Sequence, residues 1–199
     1  MKRITVLLCL SIMVVAVFAG CGKKAEPAVE TAGEEEENQV GMGNPWVDIT
    51  EEDAVKLCTR LFKAPEGAKE QVWSKNENLG DPKKNLGPLV QLRFVLDGME
   101  FTARAQQGAA DGDDISGIYA EWTAGPDDVT LANWGGGNMS GKTYRSISDG
   151  EYTDLITWYD IEIGIKYSLC VTAKDLDGFD IQAVAEQMYC VENEPDTGE

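Results

Sequence analysis

The chain has no histidine. That removes Ser-His-Asp and Cys-His catalysis, and His-ligated zinc with them. Basic residues are scarce: 17 Lys and Arg stand against 35 Asp and Glu, for a net charge of −18. Such a field repels nucleic acid and anionic headgroups and favours cations and basic partners. It also serves the simpler purpose of keeping a surface solvated. Cysteine is sparse, five residues in 199, too few for a disulfide-built scaffold.

What is present starts with an address. The chain opens "MKRITVLLCLSIMVVAVFAGCGKK". Lys2 and Arg3 form a basic leader, and Ile4 to Phe18 are apolar apart from Thr5 and Ser11. Small residues then lead to Cys21. This pattern predicts an export signal over residues 1–20, outside the folded part. "FAGC" resembles the bacterial lipobox, with Phe18 where leucine is commoner, so Cys21 is the expected lipidation site. The alternative, an uncleaved anchor, has an apolar run at the short end for spanning a bilayer. In either case the remainder is expected outside the cell, held at the membrane. Two or more acyl chains, at about 0.8 kcal/mol per buried CH₂, hold a protein stably there. Without Lys2 and Arg3 the net charge falls to near −20.

Residues 21–44 read as an acidic tether. "GKKAEPAVETAGEEEENQVGMGN" has almost no bulky apolar residue and cannot bury enough surface to order itself. As a coil it would span on the order of 25 Å. The globular part is expected over 45–192, with a polar tail at 193–199. "DITEEDAVKLCTRLF" predicts a helix with Thr50 as N-cap and Glu51, Glu52 and Asp53 against the dipole. Ala54, Val55, Leu57, Cys58, Leu61 and Phe62 would share its buried side, and "APEG" would end it.

"PLVQLRFVLDGMEFTARAQ" is a hairpin around Asp97-Gly98. That turn sets Leu96, Phe94, Leu92 and Val90 opposite Met99, Phe101, Ala103 and Ala105, an apolar face throughout. "GIYAEWTA" and "DVTLANW" predict two strands separated by Gly125-Pro126-Asp127-Asp128. "GKTYRSIS" and "EYTDLITWYD" form a hairpin on Asp149-Gly150, which places Arg145 opposite Asp154. "IKYSLCVTA" follows, and "FDIQAVAEQMYC" is a second helix with Ile181, Val184, Ala185 and Met188 inward. The expected fold class is α+β: an antiparallel meander of about seven strands, with an N-terminal and a C-terminal helix on one face.

"NPWVDITEEDAVKL", "VQLRFVLDGMEFTARAQ" and "DLDGFDIQAVAEQMY" resemble segments of an uncharacterised surface lipoprotein family of Gram-positive anaerobes. The resemblance spans roughly residues 44–189 and implies a surface lipoprotein, with no activity or site residues to carry over.

Five features stand out as candidate sites. "GGGNMSGKT", Gly135 to Thr143, matches the P-loop pattern G-x-x-x-x-G-K-[ST]. That chemistry needs a strand before and a helix after, so that backbone N–H groups face the phosphates. No helix is predicted after Thr143, so nucleotide is not expected and Lys142 and Thr143 should open a strand.

"DLDGFD" places Asp175, Asp177 and Glu186 at calcium-loop positions 1, 3 and 12, but its glycine is misplaced at Gly178. Position 5 is Phe179, and a turn with an Asp N-cap for the last helix is the plainer account. "ADGDDIS" around Asp111 to Asp114 is another acidic loop, open to weak cation binding. Of the mature domain's cysteines, Cys58 sits in a buried stripe, leaving Cys170 and Cys190 as a possible disulfide, or no pairing in a reducing habitat. Among the aromatics Trp73, Trp122, Trp134 and Trp158, packing is the plain role. Trp134, just before the glycine run, is singled out as a possible ligand contact.

No catalytic set, metal site or cofactor is implied. The expectation is a lipid-anchored extracytoplasmic binding or interaction module, partnered by the membrane through its lipid and by an unknown envelope protein or small ligand. A carboxylate-dependent enzyme on envelope glycans or peptides is the alternative.

Overall fold

The computed structural model describes residues 44–193. The signal, Cys21, nearly all of the tether and most of the tail lie outside the described residues. No described helix is long and apolar enough to cross a membrane.

The strands are β1 (Val47–Asp48), β2 (Lys69–Asn76), β3 (Leu89–Leu96), β4 (Met99–Gln107), β5 (Ala124–Leu131), β6 (Met139–Ser148), β7 (Glu151–Asp160) and β8 (Ile165–Ala173). Among the described residues two α-helices, α1 (Glu51–Leu57) and α2 (Ile181–Gln187), complete the α+β fold. All eight strands join one antiparallel sheet in the order β1-β2-β3-β4-β8-β7-β6-β5. It is two meanders joined at β4 and β8. The connection from β4 to β5, residues 108–123, must therefore pass from the sheet centre to its far edge.

Both DG hairpins form in the expected register. Leu96↔Met99 through Val90↔Ala105 pair across the first, with Asp97 and Gly98 at φ 51° and 79°. Positive φ at both central positions is the twist that suits a two-residue hairpin. In the second, Arg145 faces Asp154. The side chains meet in a two-pronged bond at 2.6 Å each, and Arg145 also donates to the Leu176 carbonyl at 3.0 Å.

Alternation along each strand gives the sheet two faces. Val90, Leu92, Phe94, Phe101, Ala103, Ile156, Trp158, Tyr167 and Leu169 share one face with Val184, Ala185 and Met188 of α2 and Ala54 of α1 in a single core. Trp158 stacks on Tyr167 at 5.2 Å, and Trp134 packs against both at 5.1 Å. The other face carries polar residues, among them Arg104, Lys142, Lys166 and Ser168.

Four local expectations need correction. The first helix stops at Leu57, and Cys58 caps it in an extended conformation. Leu61 and Phe62 still reach the core with no exposure, but from irregular backbone. The break follows from Arg60, held at φ 56°. Its N–H donates to the Asn193 carbonyl at 2.7 Å, its carbonyl accepts from Tyr167, and its guanidinium pairs with the buried Asp160. Secondly, "GIYAEWTA" is not a strand. Its alternation is real, with Tyr119 exposed and Trp122 half-buried, but the segment covers the sheet instead of joining it. Thirdly, Gly125 to Asp128 is not a turn. It lies inside β5, where a register shift between Ala124 and Asp127 absorbs it, as suits proline on an edge strand. Fourthly, β2 forms where no strand was expected.

Candidate functional site

The segment 108–123 crosses the polar face of the sheet as a roof, pinned strand by strand. Arg104 of β4 donates to the carbonyls of Ile115 and Ser116 at 3.2 and 2.6 Å, while its Nε donates to Gln91 at 2.9 Å. Burial holds the Arg104 pKa below its usual value. Lys166 of β8, almost wholly buried, donates to the Asp111 carbonyl at 2.5 Å and carboxylate at 3.1 Å. Ser146 of β6 donates to the Glu121 carbonyl at 2.8 Å. Trp122 closes against Tyr144 with ring centres 5.3 Å apart. A long polar connection is thus held by side chains that the sheet supplies, where a ladder of its own would otherwise be needed.

Beneath and beside the roof lies a cleft of about 790 Å³. Ile118 and Trp122 line it from the roof, and Tyr144, Leu155, Thr157 and Lys166 from the sheet. It opens where β6 and β7 part. Their pairing ends at Gly141↔Trp158, yet β6 runs on against β5 to Met139 and β7 runs on against β8 to Asp160. At this fork the cleft also touches Gly135, Met139 and Trp158, which belong with the helix-side face.

Most charges around the cleft are already engaged. Lys166 holds Asp111, and Asp160 takes the Arg60 guanidinium plus the N–H groups of Glu162 and Ile163. Asp113 accepts from the Ala110 N–H at 2.7 Å, and Asp114 from both the N–H and hydroxyl of Ser116. One buried group stands out. Trp158 Nε1 has no hydrogen-bond partner among the described residues, and a buried donor left unpaired costs about 1–3 kcal/mol.

The candidate residues singled out from sequence fare unevenly. Trp134 is fully buried, with Nε1 donating to the Ala185 carbonyl at 3.0 Å. It is a core residue and presents no surface to a ligand, which corrects that expectation. The chain just before it is tied to α2: Glu186 accepts the N–H groups of Ala132 and Asn133, the latter at 2.8 Å. That use of Glu186 also dissolves the calcium-loop pattern. Asp175 accepts from the Asp177 N–H and Asp180 caps α2 at Gln182 and Ala183. No group of three Cys, Asp or Glu residues suited to a metal occurs among the described residues.

Cys170 and Cys190 are not joined; both are free thiols, as is Cys58. The reason is topological. Cys170 faces Thr102 and Leu155 on the roofed side of the sheet, while Cys190 follows α2 on the other side. Burial pushes all three thiols up, Cys58 to about 12, so they stay protonated at neutral pH. The P-loop match spans the β5–β6 turn and runs into β6. Gly135, Gly136 and Gly137 have positive φ, and Gly141, Lys142 and Thr143 are strand residues. The helix N-terminus that would face a phosphate is replaced by a β-ladder.

Sequence reasoning named Trp122 and the Asp111–Asp114 loop but missed that they meet Lys166, Tyr144 and the glycine turn at one cleft. The signal for it was the length of chain between β4 and β5. Comparison with protein-family models, with curated proteins and with solved structures finds no match to this chain.

Proposed function

We propose that the chain is a lipid-anchored extracytoplasmic binding module, tethered through Cys21, whose ligand occupies the roofed cleft. The carrying observation is the cleft itself: about 790 Å³, a typical small-ligand volume, with rings and polar groups converging on it. Support for the anchor comes from the leader and "FAGC". Support for binding without catalysis comes from the absence of histidine and from thiols held protonated by burial.

Two measurements test this. Cys21→Ser should shift the protein out of the membrane fraction, together with loss of its acyl mass. If it stays there with its mass unchanged, the anchor is something else. Proximity labelling from the anchored chain in intact cells should report one dominant envelope component, and Trp122→Ala should reduce it. Asp113, Asp114 and Glu162 beside the cleft keep a carboxylate enzyme as the second reading. Turnover of cell-wall fragments by the purified chain, abolished by Glu162→Gln, would put that reading first.

A further inference from the structure

We propose that the cleft takes a short peptide with free ends: its C-terminal carboxylate meets Lys142, its N-terminal ammonium meets Glu162, and its last side chain lies on Trp122 and Tyr144. This rests on the cleft being the binding site. Register, charge and wall chemistry carry it.

Register gives the cleft a direction. On the roofed face Lys142 stands opposite Thr157, and Tyr144 opposite Leu155. Further along β7, Tyr159 stands opposite Lys166, which holds Asp111 at the start of the roof. Glu162 follows in the turn between β7 and β8. One end of the cleft thus carries Lys142, Tyr144 and the Trp122 packed on Tyr144. The other carries Glu162, with Asp113 and Asp114 just past the Lys166 contact.

Neither end is neutralised. Lys142 is 54 % exposed, and its pair with the outer Asp128 is long at 3.9 Å, so water screens it. Glu162 is 72 % exposed and lies 3.6 Å from the Arg60 guanidinium, which already pairs with the buried Asp160. One guanidinium serves two carboxylates there, so the acidic end keeps negative charge. Asp113 and Asp114 accept N–H groups of their own loop, which orders them without cancelling their charge. A cleft positive at one end and negative at the other matches a zwitterion. An anion alone would meet the acidic end and the net charge of −18; a cation alone would be set against Lys142.

Length selects among zwitterions. From Thr157 to Asp160 the strand advances about 10 Å, and the turn carries Glu162 further. A single amino acid holds both charges on one carbon and cannot reach both ends. A chain advancing about 3.4 Å per residue spans the distance with three or four residues. Between the charges Trp122, Tyr144 and Leu155 offer apolar surface. Tyr144 lies two positions from Lys142 on the same face, where an apolar C-terminal side chain would rest.

The test is calorimetry of the full-length chain in detergent. The probes are alanyl-alanyl-phenylalanine, its N-acetyl and C-amide forms, and free phenylalanine. The free tripeptide should bind, either cap should weaken it about tenfold, and phenylalanine should bind more weakly still. Lys142→Gln should weaken the free tripeptide about tenfold and leave the amide unaffected. Glu162→Gln should do the same for the acetylated form. Both side chains are exposed, so the melting temperature should hold within a degree or two, which separates a lost contact from a lost fold.

Binding that ignores both caps overturns the peptide with free ends. A cap penalty that persists in Lys142→Gln or Glu162→Gln overturns that residue's assignment. Phenylalanine binding as tightly as the tripeptide overturns the peptide in favour of an amino acid. If nothing binds at millimolar concentration, the peptide falls; the module reading survives only if Trp122→Ala still reduces labelling of the envelope component in cells. When neither peptide nor labelling responds, both readings fall together.

Discussion

Lys142 and Arg145 sit three residues apart on β6, and each has an acidic neighbour across a ladder. Lys142 lies 3.9 Å from Asp128, with side chains 54 % and 84 % exposed. Arg145 grips Asp154 with both prongs at 2.6 Å, and the Asp154 side chain is 5 % exposed. Water screens the first pair and is largely absent from the second. Exposed pairs contribute about 0–1 kcal/mol, whereas removing one partner of a buried pair costs about 3–5 kcal/mol because the other charge is stranded. Asp154→Ala should therefore cost about 3 kcal/mol of unfolding free energy in a denaturant titration. Lys142→Ala should change it by less than about 0.5 kcal/mol. Equal effects would mean that the buried pair is solvated. The pairing of Arg145 with Asp154 was readable from the Asp149-Gly150 turn, which fixes register. Its strength was not, because Asp154 is buried by the fold and Arg145 is held as well by the Leu176 carbonyl, remote in sequence. The glycine of the same P-loop match has a packing role: a Cβ on Gly141 would come within 3.1 Å of the Thr157 carbonyl.

Turns and caps, being local chemistry, were legible; connections that work by covering were not. Asp97-Gly98 and Asp149-Gly150 each carry their own backbone preference, so both hairpins and their registers could be read directly. Thr50 caps α1 and Asp180 caps α2 for the same reason. By contrast, "GIYAEWTA" alternates like a strand because Ile118 and Trp122 turn inward, yet its hydrogen bonds to the sheet go to the Ser146 side chain and the Arg145 carbonyl of β6 at its end and build no ladder along its length. "KEQVWSKN" hid as β2 because it buries Ser74 and Asn76 beside Trp73 and carries a register shift between Lys69 and Val72. The cleft inherits this blindness, since it exists only where the roof passes over the fork. The β5–β6 turn gives a test at the same scale. Glu186→Ala removes the acceptor for two backbone N–H groups while leaving the Trp134 anchor in place. Loss of about 1–2 kcal/mol of local stability is expected. Hydrogen exchange should show the Ala132 and Asn133 amides exchanging about tenfold faster, with β7 and β8 unchanged. Faster exchange spread evenly over the sheet would show instead that Glu186 supports the whole core.

At the scale of the molecule, excess acid opposes the compact state while buried ion pairs favour it, and salt separates the two. The net charge of −18 is spread over a chain with only 17 basic residues. Self-repulsion of this kind destabilises a folded protein, and it acts over the Debye length, about 30 Å at 0.01 M salt but about 10 Å at 0.1 M. The pairs that favour folding, Arg60 with Asp160 and Arg145 with Asp154, are short and shielded from solvent. Screening therefore weakens the long-range repulsion far more than it weakens these contacts. Raising sodium chloride from about 10 mM to about 150 mM should raise the melting temperature by a few degrees. Potassium chloride should do the same, since screening depends on ionic strength and not on the ion. A melting temperature that falls with salt would mean that exposed pairs such as Lys56 with Glu52 and Asp53 outweigh the net repulsion. One that rises only with sulfate would point to exclusion of the salt from apolar surface. The same field bears on function. On the proposal that Cys21 anchors the chain to a membrane, a protein this acidic would gain little from that surface, and the proposed ligand would have to be gripped by the cleft's own groups and not by long-range attraction.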